Sequence, residues 1–272
     1  DFIDYVHRTP AEIGEDWDLY KRLERENRFL GGFSPVSSLQ PAFRASLVSA
    51  ADSVIEGYRN SSNPSLRDFD WAKARLCLSY ASQIDPSDRE ARGKLAICDG
   101  YLNLMQNPAL PGADRSEAVF RAAAFDLPRS PDPRLGLARV YTYAFRNAGK
   151  ALAEFSEAER LGFRLGPREM EQQGDGYLFR GEWELRQAQR AAGGSKSEEA
   201  RWLRQSWDDL ERARTLYAPM AGFSKVSVSL DRLEQYWSNE EQLRAALVKP
   251  ARKPKTKRTS RRRQYTSTRV WR

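Results

Sequence analysis

Apolar side chains recur at intervals of three and four positions along most of this chain, which is the spacing of one face of an α-helix. In the middle of the chain the pattern is more specific: a small residue is followed four positions later by a large apolar residue, and three positions after that by alanine. The clearest copies are Ala74–Leu78–Ala81, Ser116–Phe120–Ala123 and Ala151–Phe155–Ala158, and five positions further on stand Pro86, Pro128 and Phe163. Since proline cannot continue a helix, the first two copies each predict a helix that ends near its proline.

The same period predicts helices along the rest of the chain, and no stretch keeps the two-residue alternation of a β-strand, so the predicted fold class is all-α. Residues 1–15 are expected to be an extended lead-in, 59–69 a loop and 107–114 a connector. Gly31 and Gly32 are expected to end the first helix, and Ser87 or Asp88 to cap the fourth. The predicted helices are 15–30, 41–58 with Pro41 in its first turn, 70–84, 87–105, 115–126, 132–146, 149–161, 167–190, 196–217, 225–237 and 239–248.

The recurring residues resemble the tetratricopeptide repeat, whose second helix carries small–x3–aromatic–x2–Ala–x4–Pro and whose first helix carries Leu–Gly/Ala–x2–Tyr. One segment matches the first-helix pattern fully and two match it in part, at Leu137–Ala138–Tyr141, Gly174–Tyr177 and Leu95–Ala96. The resemblance covers about residues 70–215. It implies a right-handed superhelix of antiparallel helix pairs, a TPR-like α-solenoid, whose concave face receives a peptide or a segment of another protein.

The spacing of the copies departs from the family's period of about 34 residues. Second helices start 42 positions apart between Ala74 and Ser116, and 35 apart between Ser116 and Ala151. The next candidate, Ser206–Leu210–Ala213, starts 55 positions after Ala151. We therefore predict irregular repeats in a domain spanning residues 41–248, preceded by a lead-in with one helix over residues 1–40.

The positive charge of the chain is concentrated at its C-terminal end. Residues 249–272, the basic tail, contribute eleven basic side chains and no acidic one to a net charge of +8, which leaves −3 for residues 1–248. Cations bind phosphates through counterion release, and Tyr265 and Trp271 suit stacking on bases or a lipid interface. A solvated tail and a tail that docks onto a protein stay as alternatives. The candidate polyanion-binding residues are Lys253, Lys255, Lys257, Arg258, Arg261, Arg262 and Arg263.

The resemblance also implies a partner-binding groove, formed by the inward-facing positions of the first helices. We call the following set the predicted groove: Glu90, Gly93, Ile97, Tyr101, Arg139, Thr142, Arg146 and Asp175. Asp132, Leu135, Arg168, Glu171 and Leu178 occupy further positions of the same kind. The set mixes both signs of charge with an aromatic residue, which suits a peptide more than a polyanion. A second interpretation, in which these residues are solvated or packed on an adjacent helix, stays open.

Residues that carry chemistry are sparse. His7, the one histidine, falls in the predicted lead-in, so no Cys–His or Ser–His–Asp system is expected. Cys77 and Cys98 lie in apolar helical patterns and are expected to be core thiols. Glycines near Gly174 lack the GxGxxG spacing, and Glu182 and Glu184, two positions apart, point to different helix faces. We predict no enzyme activity, cofactor, metal or small-molecule substrate.

The sequence therefore predicts a non-enzymatic scaffold or adaptor that binds a partner segment on its concave face. The alternative is an adaptor for nucleic acid or an anionic membrane surface, driven by the basic tail. No apolar run reaches the 18 residues of a membrane span. The first residue is Asp1 rather than methionine, so an upstream signal or anchor, and with it the localisation, stays open.

Overall fold

A computed structural model describes residues 5–27, 35–62, 65–106, 110–222 and 224–248, and every regular element in these ranges is helical. The prediction of an all-α fold is confirmed for this part of the chain. Short 3₁₀ turns occupy Leu66–Asp68 and Ala218–Met220. The helices are α1 (Pro10–Asn27), α2 (Pro35–Asn60), α3 (Trp71–Ile84), α4 (Arg89–Gln106), α5 (Leu110–Asp126), α6 (Asp132–Tyr143), α7 (Ala148–Arg160), α8 (Pro167–Ala191), α9 (Lys196–Tyr217) and α10 (Ser224–Val248).

Most predicted helices are found within a few residues of their expected bounds, and four differences stand out. α1 begins at Pro10, inside the predicted lead-in, and α2 begins before Pro41, which lies within the helix. α5 begins inside the predicted connector 107–114, and α10 is one helix where two short ones were predicted. Asp88 caps α4 as predicted, since its carboxylate accepts from the backbone N–H groups of Glu90 and Ala91. Gly31 and Gly32 lie outside the described residues.

Each helix packs chiefly on its neighbours in the chain, in the pairs α2/α3, α4/α5, α6/α7 and α8/α9. The first helices of the first two pairs run side by side in the same direction. Asp52 pairs with Lys94 at 2.8 Å, and six positions later in α2 the Tyr58 ring lies 5.0 Å from that of Tyr101 in α4. Earlier residues of α2 thus contact earlier residues of α4, and later residues contact later ones, as in parallel helices. This is a repeat-like arrangement of helix pairs.

The pair α4/α5 shows what the small residues of the pattern do. The Ser116 hydroxyl donates to the Gly100 carbonyl at 3.0 Å, so the two backbones approach closely. A Cβ added at Gly100 would lie 2.6 Å from the Phe120 ring, and one at Gly93 would lie 2.5 Å from Leu127. Phe120 and Leu127 therefore fill the space that the missing side chains leave.

The pair α8/α9 repeats this construction. The Ser206 hydroxyl donates to the Gly181 carbonyl at 3.0 Å, and a Cβ at Gly181 would lie 3.0 Å from Leu210. A Cβ at Gly174 would lie 2.5 Å from Tyr217. The two glycines of each first helix are seven positions apart. The serine of each second helix and the large residue that packs on the first glycine, Leu127 or Tyr217, are eleven positions apart. The Ser206 copy thus makes the same contacts as the Ser116 copy, despite the irregular spacing along the chain.

The apolar core of the described residues has one large cluster and three smaller ones. The large cluster runs from Tyr5 and Ile13 through α2–α7 to Ala158, and one of the smaller clusters joins α8, α9 and α10 around Leu178, Tyr217 and Leu233. Cys77 and Cys98 are free thiols buried in the large cluster, as predicted. None of the described helices is both long enough and apolar enough to cross a membrane.

Candidate functional site

The structure does not bring the eight residues of the predicted groove together on an open surface. Glu90 and Arg146 are exposed and Arg139 is half-buried. The remaining five are buried: Gly93, Ile97, Tyr101, Thr142 and Asp175. The further inward-facing positions, Asp132, Leu135, Arg168, Glu171 and Leu178, are buried as well. Most of these side chains therefore pack on other parts of the chain, which is the second interpretation that the sequence left open.

The side chain that closes the centre of the predicted groove is Tyr58, at the end of α2. Its ring lies 5.0 Å from that of Tyr101 in α4, and its hydroxyl accepts from Arg139 in α6 at 3.4 Å. The Arg168 guanidinium of α8 lies over the same ring, 4.2 Å from its centre. We call these four residues the Tyr58 junction. One aromatic side chain thus contacts the inner positions of three first helices.

A small cavity of about 170 Å³ remains beside the Tyr58 junction. It is lined by Leu66, Leu104, Arg139, Tyr143 and Ala144. Arg139 lies 5.4 Å from the centre of the Tyr143 ring, so its charge already has an aromatic partner. The cavity is too small to seat a peptide segment, and the centre of the predicted groove is a packed junction.

Asp175 is the centre of a second junction, between α6, α8, α9 and α10. Its carboxylate accepts from the hydroxyls of Tyr143 at 2.8 Å, Tyr217 at 2.7 Å and Ser229 at 3.3 Å. Burial, reinforced by the charge of Asp175, raises the pKa of Tyr217 and of Tyr143 well above the usual value of a phenol. Both hydroxyls therefore stay protonated and donate. Asp175 ties four helices together and is not free to bind a partner.

The Glu90 end of the predicted groove opens into a surface cleft of about 590 Å³. We call it the charged cleft. It lies between α2, α4 and the turn that joins α5 to α6, and its floor includes Ile55 and Leu127. Charged residues of both signs line its walls: Asp52, Glu56, Arg59, Arg89, Glu90, Lys94, Asp126, Arg129 and Asp132.

Most charges in the cleft are paired across helices. The Lys94 ammonium lies 2.8 Å from Asp52 and 2.6 Å from Glu90, and it lowers the pKa of the Glu90 carboxyl. Arg59 reaches Asp132 at 2.9 Å, while burial raises the pKa of that carboxyl. Arg129 is exposed and forms no ion pair with any residue of the described ranges. It is a cation available to a ligand carboxylate.

Arg92 adds a bidentate pair at the edge of the cleft. Its guanidinium donates twice to Asp126, each time at 2.7 Å, and lowers the pKa of that carboxyl. Arg89 approaches the same carboxylate at 3.3 Å. Because planar bidentate pairs hold their geometry well, Asp126 fixes the last turn of α5 against α4.

Phe125 is outside the set of lining residues but stands at the rim of the cleft, next to the lining residue Asp126 and against the lining residue Arg89, and it is 75% exposed. Arg89 donates to the Phe125 carbonyl at 2.9 Å and lies 5.1 Å from the ring centre. Sequence reasoning missed Phe125 because it sought sites on the inward faces of the first helices. The available signal was a large aromatic residue two positions after Ala123, which places it off the core-facing stripe of α5.

The candidate reactive groups named from the sequence are buried or paired where the structure describes them. None of their histidine, cysteine, aspartate or glutamate side chains forms a group of three that could hold a metal. Burial raises the pKa of the Cys77 thiol to about 11 and raises that of Cys98 further, so neither is a reactive thiolate at neutral pH. Glu184 is buried whereas Glu182 pairs with Arg186 and Arg232, so the two carboxyls do not face each other.

The seven tail residues singled out in the sequence lie outside the described residues. They are Lys253, Lys255, Lys257, Arg258, Arg261, Arg262 and Arg263. Within the described part, the candidate site is therefore the charged cleft with Phe125 on its rim. No protein-family model, no curated protein and no solved structure matches this chain, so a functional assignment depends on this geometry alone.

Proposed function

We propose that this chain is a non-enzymatic helical-repeat scaffold that binds a segment of another protein at the charged cleft. The observation that carries the proposal is Phe125, a large aromatic side chain that is 75% exposed on the rim of a 590 Å³ cleft. Aromatic residues and arginine are the residue types most enriched at the energetic centres of protein interfaces. The TPR-like superhelix, suggested by the repeated helix pairs, belongs to the same proposal.

The cleft defines the chemistry of the partner segment. Ile55 and Leu127 on the floor and Phe125 on the rim favour an apolar or aromatic anchor. Arg129 favours a carboxylate near that anchor, because it has no ion-pair partner among the described residues. A polyanion is disfavoured, since five carboxylates line the walls together with four basic side chains. We therefore expect a peptide with an aromatic or aliphatic anchor and an acidic residue a few positions away.

This proposal moves the binding site from the centre of the predicted groove to its Glu90 end. Tyr101 and Arg139 are part of the Tyr58 junction, so replacing them would disturb packing before it disturbed a ligand contact. Glu90 keeps a role, since it lines the cleft and holds Lys94. Arg146 is exposed but lies 4.9 Å from the centre of the Phe179 ring, in contact with α8 and away from the cleft.

A selection from a phage-displayed random peptide library on the full chain tests the proposal. Affinities of the selected peptides would be compared for the wild type, Phe125→Ala and Arg129→Ala. We expect both variants to bind about tenfold more weakly, as one lost anchor or ion pair of about 1.4 kcal/mol predicts. Circular dichroism should show unchanged helicity, because both side chains are exposed.

Val228→Ala is the matched control, because Val228 is an apolar residue with 59% exposure on α10, away from the cleft. It should leave peptide affinity unchanged. The proposal is overturned if no peptide is enriched, if Phe125→Ala binds like the wild type, or if Val228→Ala weakens binding equally.

A further inference from the structure

The α8–α9 hairpin ends in a surface that the proposed protein site does not use. Trp183 in α8 is 48% exposed. Its ring meets that of Trp202 in α9 edge to face, with centres 5.4 Å apart and planes at 88°. Arg201 already covers Trp202, since its guanidinium lies 4.7 Å from the ring centre. Trp183 is therefore a fixed aromatic ring with much of its surface open to solvent.

Four cations without a carboxylate partner lie on the same two helices, within seven positions of Trp183 or Trp202 along the chain. Arg190 is in the last turn of α8, Lys196 in the first turn of α9, and Arg201 and Arg204 follow on α9. All four are exposed, and none forms an ion pair with another described residue. We call Trp183 and these four residues the hairpin end. The stretch of α9 from Lys196 to Arg204 spans about 12 Å, so the charges are close enough to follow one strand of phosphates.

Acidic side chains offset these charges only in part. Between residues 182 and 208, Glu182 is taken up by Arg186 and Arg232, Glu184 and Glu199 are buried, and Glu198 and Asp208 are exposed. Elsewhere the arginines are often neutralised, as Arg180 is by Asp209 and Arg92 is by Asp126. The hairpin end is thus a local excess of positive charge on a body whose net charge is −3 once the eleven tail cations are taken from +8.

The fold also brings the start of the basic tail to this end. Leu243 and Leu247 of α10 pack in one cluster with Trp202 and Leu203 of α9. Val248 ends α10, and the sequence continues directly with the eleven cations of residues 249–272. The attachment point of the tail therefore lies beside the hairpin end.

We propose that the hairpin end is a binding surface for single-stranded nucleic acid, with Trp183 stacking on a base and the hairpin cations neutralising phosphates. An aromatic platform beside cations is the arrangement that binds unpaired bases. A duplex offers no such base, because its bases are stacked on each other. A membrane surface is disfavoured, since an interfacial helix needs a continuous apolar face and Trp183 is the one exposed large apolar side chain among the described residues of this hairpin.

Fluorescence anisotropy of the full chain with a labelled single-stranded RNA of about 20 nucleotides tests the proposal. We expect Trp183→Ala to weaken binding about tenfold, and Trp183→Phe to retain most of it, because a smaller ring still stacks. The triple variant Arg190→Ala, Lys196→Ala, Arg204→Ala should weaken binding and flatten its salt dependence. The slope of log affinity against log salt should fall by about 2, at about 0.7 for each lost phosphate contact.

The matched control removes three exposed cations elsewhere: Arg22→Ala, Arg67→Ala and Arg164→Ala together. All three are exposed and form no ion pair within the described residues, so the net charge changes by the same amount. This control should bind RNA with nearly the wild-type salt slope. Phe125→Ala should also bind RNA normally, which separates this proposal from the protein-binding site.

A chain truncated after Val248 and vesicles rich in phosphatidylserine complete the design. The truncated chain should bind more weakly but keep its dependence on Trp183. The proposal is overturned if Trp183→Ala and the hairpin triple variant bind RNA like the wild type, or if the control triple variant loses as much affinity. It is also overturned if vesicles bind the chain and the RNA does not.

Discussion

The guanidinium of Arg168 lies 4.2 Å from the centre of the Tyr58 ring, although 110 positions separate the two residues. Arg168 also donates to the Tyr58 carbonyl oxygen and pairs with the buried Glu169. The start of α8 therefore packs on the end of α2, across the inner face of α4 and α6. This contact explains why the centre of the predicted groove is filled.

Arg168→Ala should lower the free energy of unfolding by about 3 kcal/mol, because it leaves Glu169 buried without its charged partner and removes the cation from the Tyr58 ring. Urea unfolding followed by circular dichroism measures this. Arg164→Ala is the control, since Arg164 is exposed, unpaired among the described residues and only four positions away. It should change stability by less than about 0.5 kcal/mol. Equal effects of the two substitutions would show that the junction contributes nothing specific.

Phe120 lies between two glycines of neighbouring first helices. A Cβ at Gly100 would come within 2.6 Å of its ring, and one at Gly136 within 2.4 Å. Gly100→Ala and Gly136→Ala should therefore each cost about 1–3 kcal/mol, despite the better helix propensity of alanine. Adding Phe120→Leu to either variant should cost less than the sum of the two single changes, because a smaller side chain relieves the overlap.

Gly14→Ala provides the control for these glycine substitutions. Gly14 lies within α1, and a Cβ there would meet nothing within 4 Å. Alanine should therefore stabilise the chain by about 0.5–1 kcal/mol through helix propensity alone. Thermal unfolding of Gly14→Ala, Gly100→Ala and Gly136→Ala tests this expectation. If all three variants melt above the wild type, Gly100 and Gly136 are not packing sites.

The two serines that donate to glycine carbonyls should be equivalent. Ser116→Ala and Ser206→Ala each remove a buried hydrogen bond of 3.0 Å to the preceding helix, at Gly100 and Gly181. Each should cost about 1 kcal/mol in urea unfolding. Ser238→Ala, at an exposed position of α10, should be neutral or slightly stabilising. A loss at only one of the two buried serines would contradict the view that α4/α5 and α8/α9 are built alike.

The helices were predictable because their apolar period is local, whereas their ends depend on caps that a search for periodicity overlooks. α1 starts at Pro10 because Thr9 and Glu12 form a capping box, in which the Thr9 N–H donates to Glu12 at 2.7 Å and the Glu12 N–H donates to the Thr9 hydroxyl at 3.3 Å. That signal is visible in the sequence. The position of Pro41 inside α2 is harder to foresee, since proline also suits a first turn.

The candidate site was less predictable, because a repeat pattern identifies which face of a helix points inward but not what covers that face. Ile97 and Tyr101 do lie on the inward side of α4, and both are buried. The ring that covers Tyr101 comes from Tyr58, 43 positions earlier, and no local spacing connects the two segments. The charged cleft is likewise a product of three separate segments. Only Glu90, among the residues of the predicted groove, lines it.

The packing of α8, α9 and α10 should weaken as the pH rises towards 8, because two carboxyls are buried there. Burial raises the pKa of Glu240 to about 7, with Arg244 opposing and Asp208 reinforcing the shift. Burial, with Asp209, raises the pKa of Glu184 to about 7, against Arg180 and Arg212. Each carboxyl has one buried oxygen with no hydrogen-bond partner among the described residues.

The sign of the effect follows from these pKa values. In the unfolded chain a glutamate titrates near 4.5, so between that pH and about 7 the folded state holds more protons. The stability that these two protonated carboxyls contribute is therefore fully present below the unfolded pKa and is lost as the pH rises through 7. At about 1.4 kcal/mol for each pKa unit, we expect the free energy of unfolding to fall by roughly 2 kcal/mol or more between about pH 5 and pH 8.

Glu240→Gln isolates this effect, because glutamine keeps the shape of the side chain and carries no charge to desolvate. Its free energy of unfolding should vary less between about pH 5 and pH 8 than that of the wild type, and it should be the more stable chain at the higher pH. Glu241→Gln, next to it but exposed, should keep the wild-type dependence. At the higher pH, hydrogen exchange of the α10 amides should be slower in Glu240→Gln than in the wild type, since opening of that helix exposes Glu240 to water. The opposite outcome is a plot of unfolding free energy against pH that runs parallel for Glu240→Gln and the wild type. It would mean that Arg244 already stabilises the charged form of this carboxylate, and that its burial does not control the stability of the α8–α10 unit.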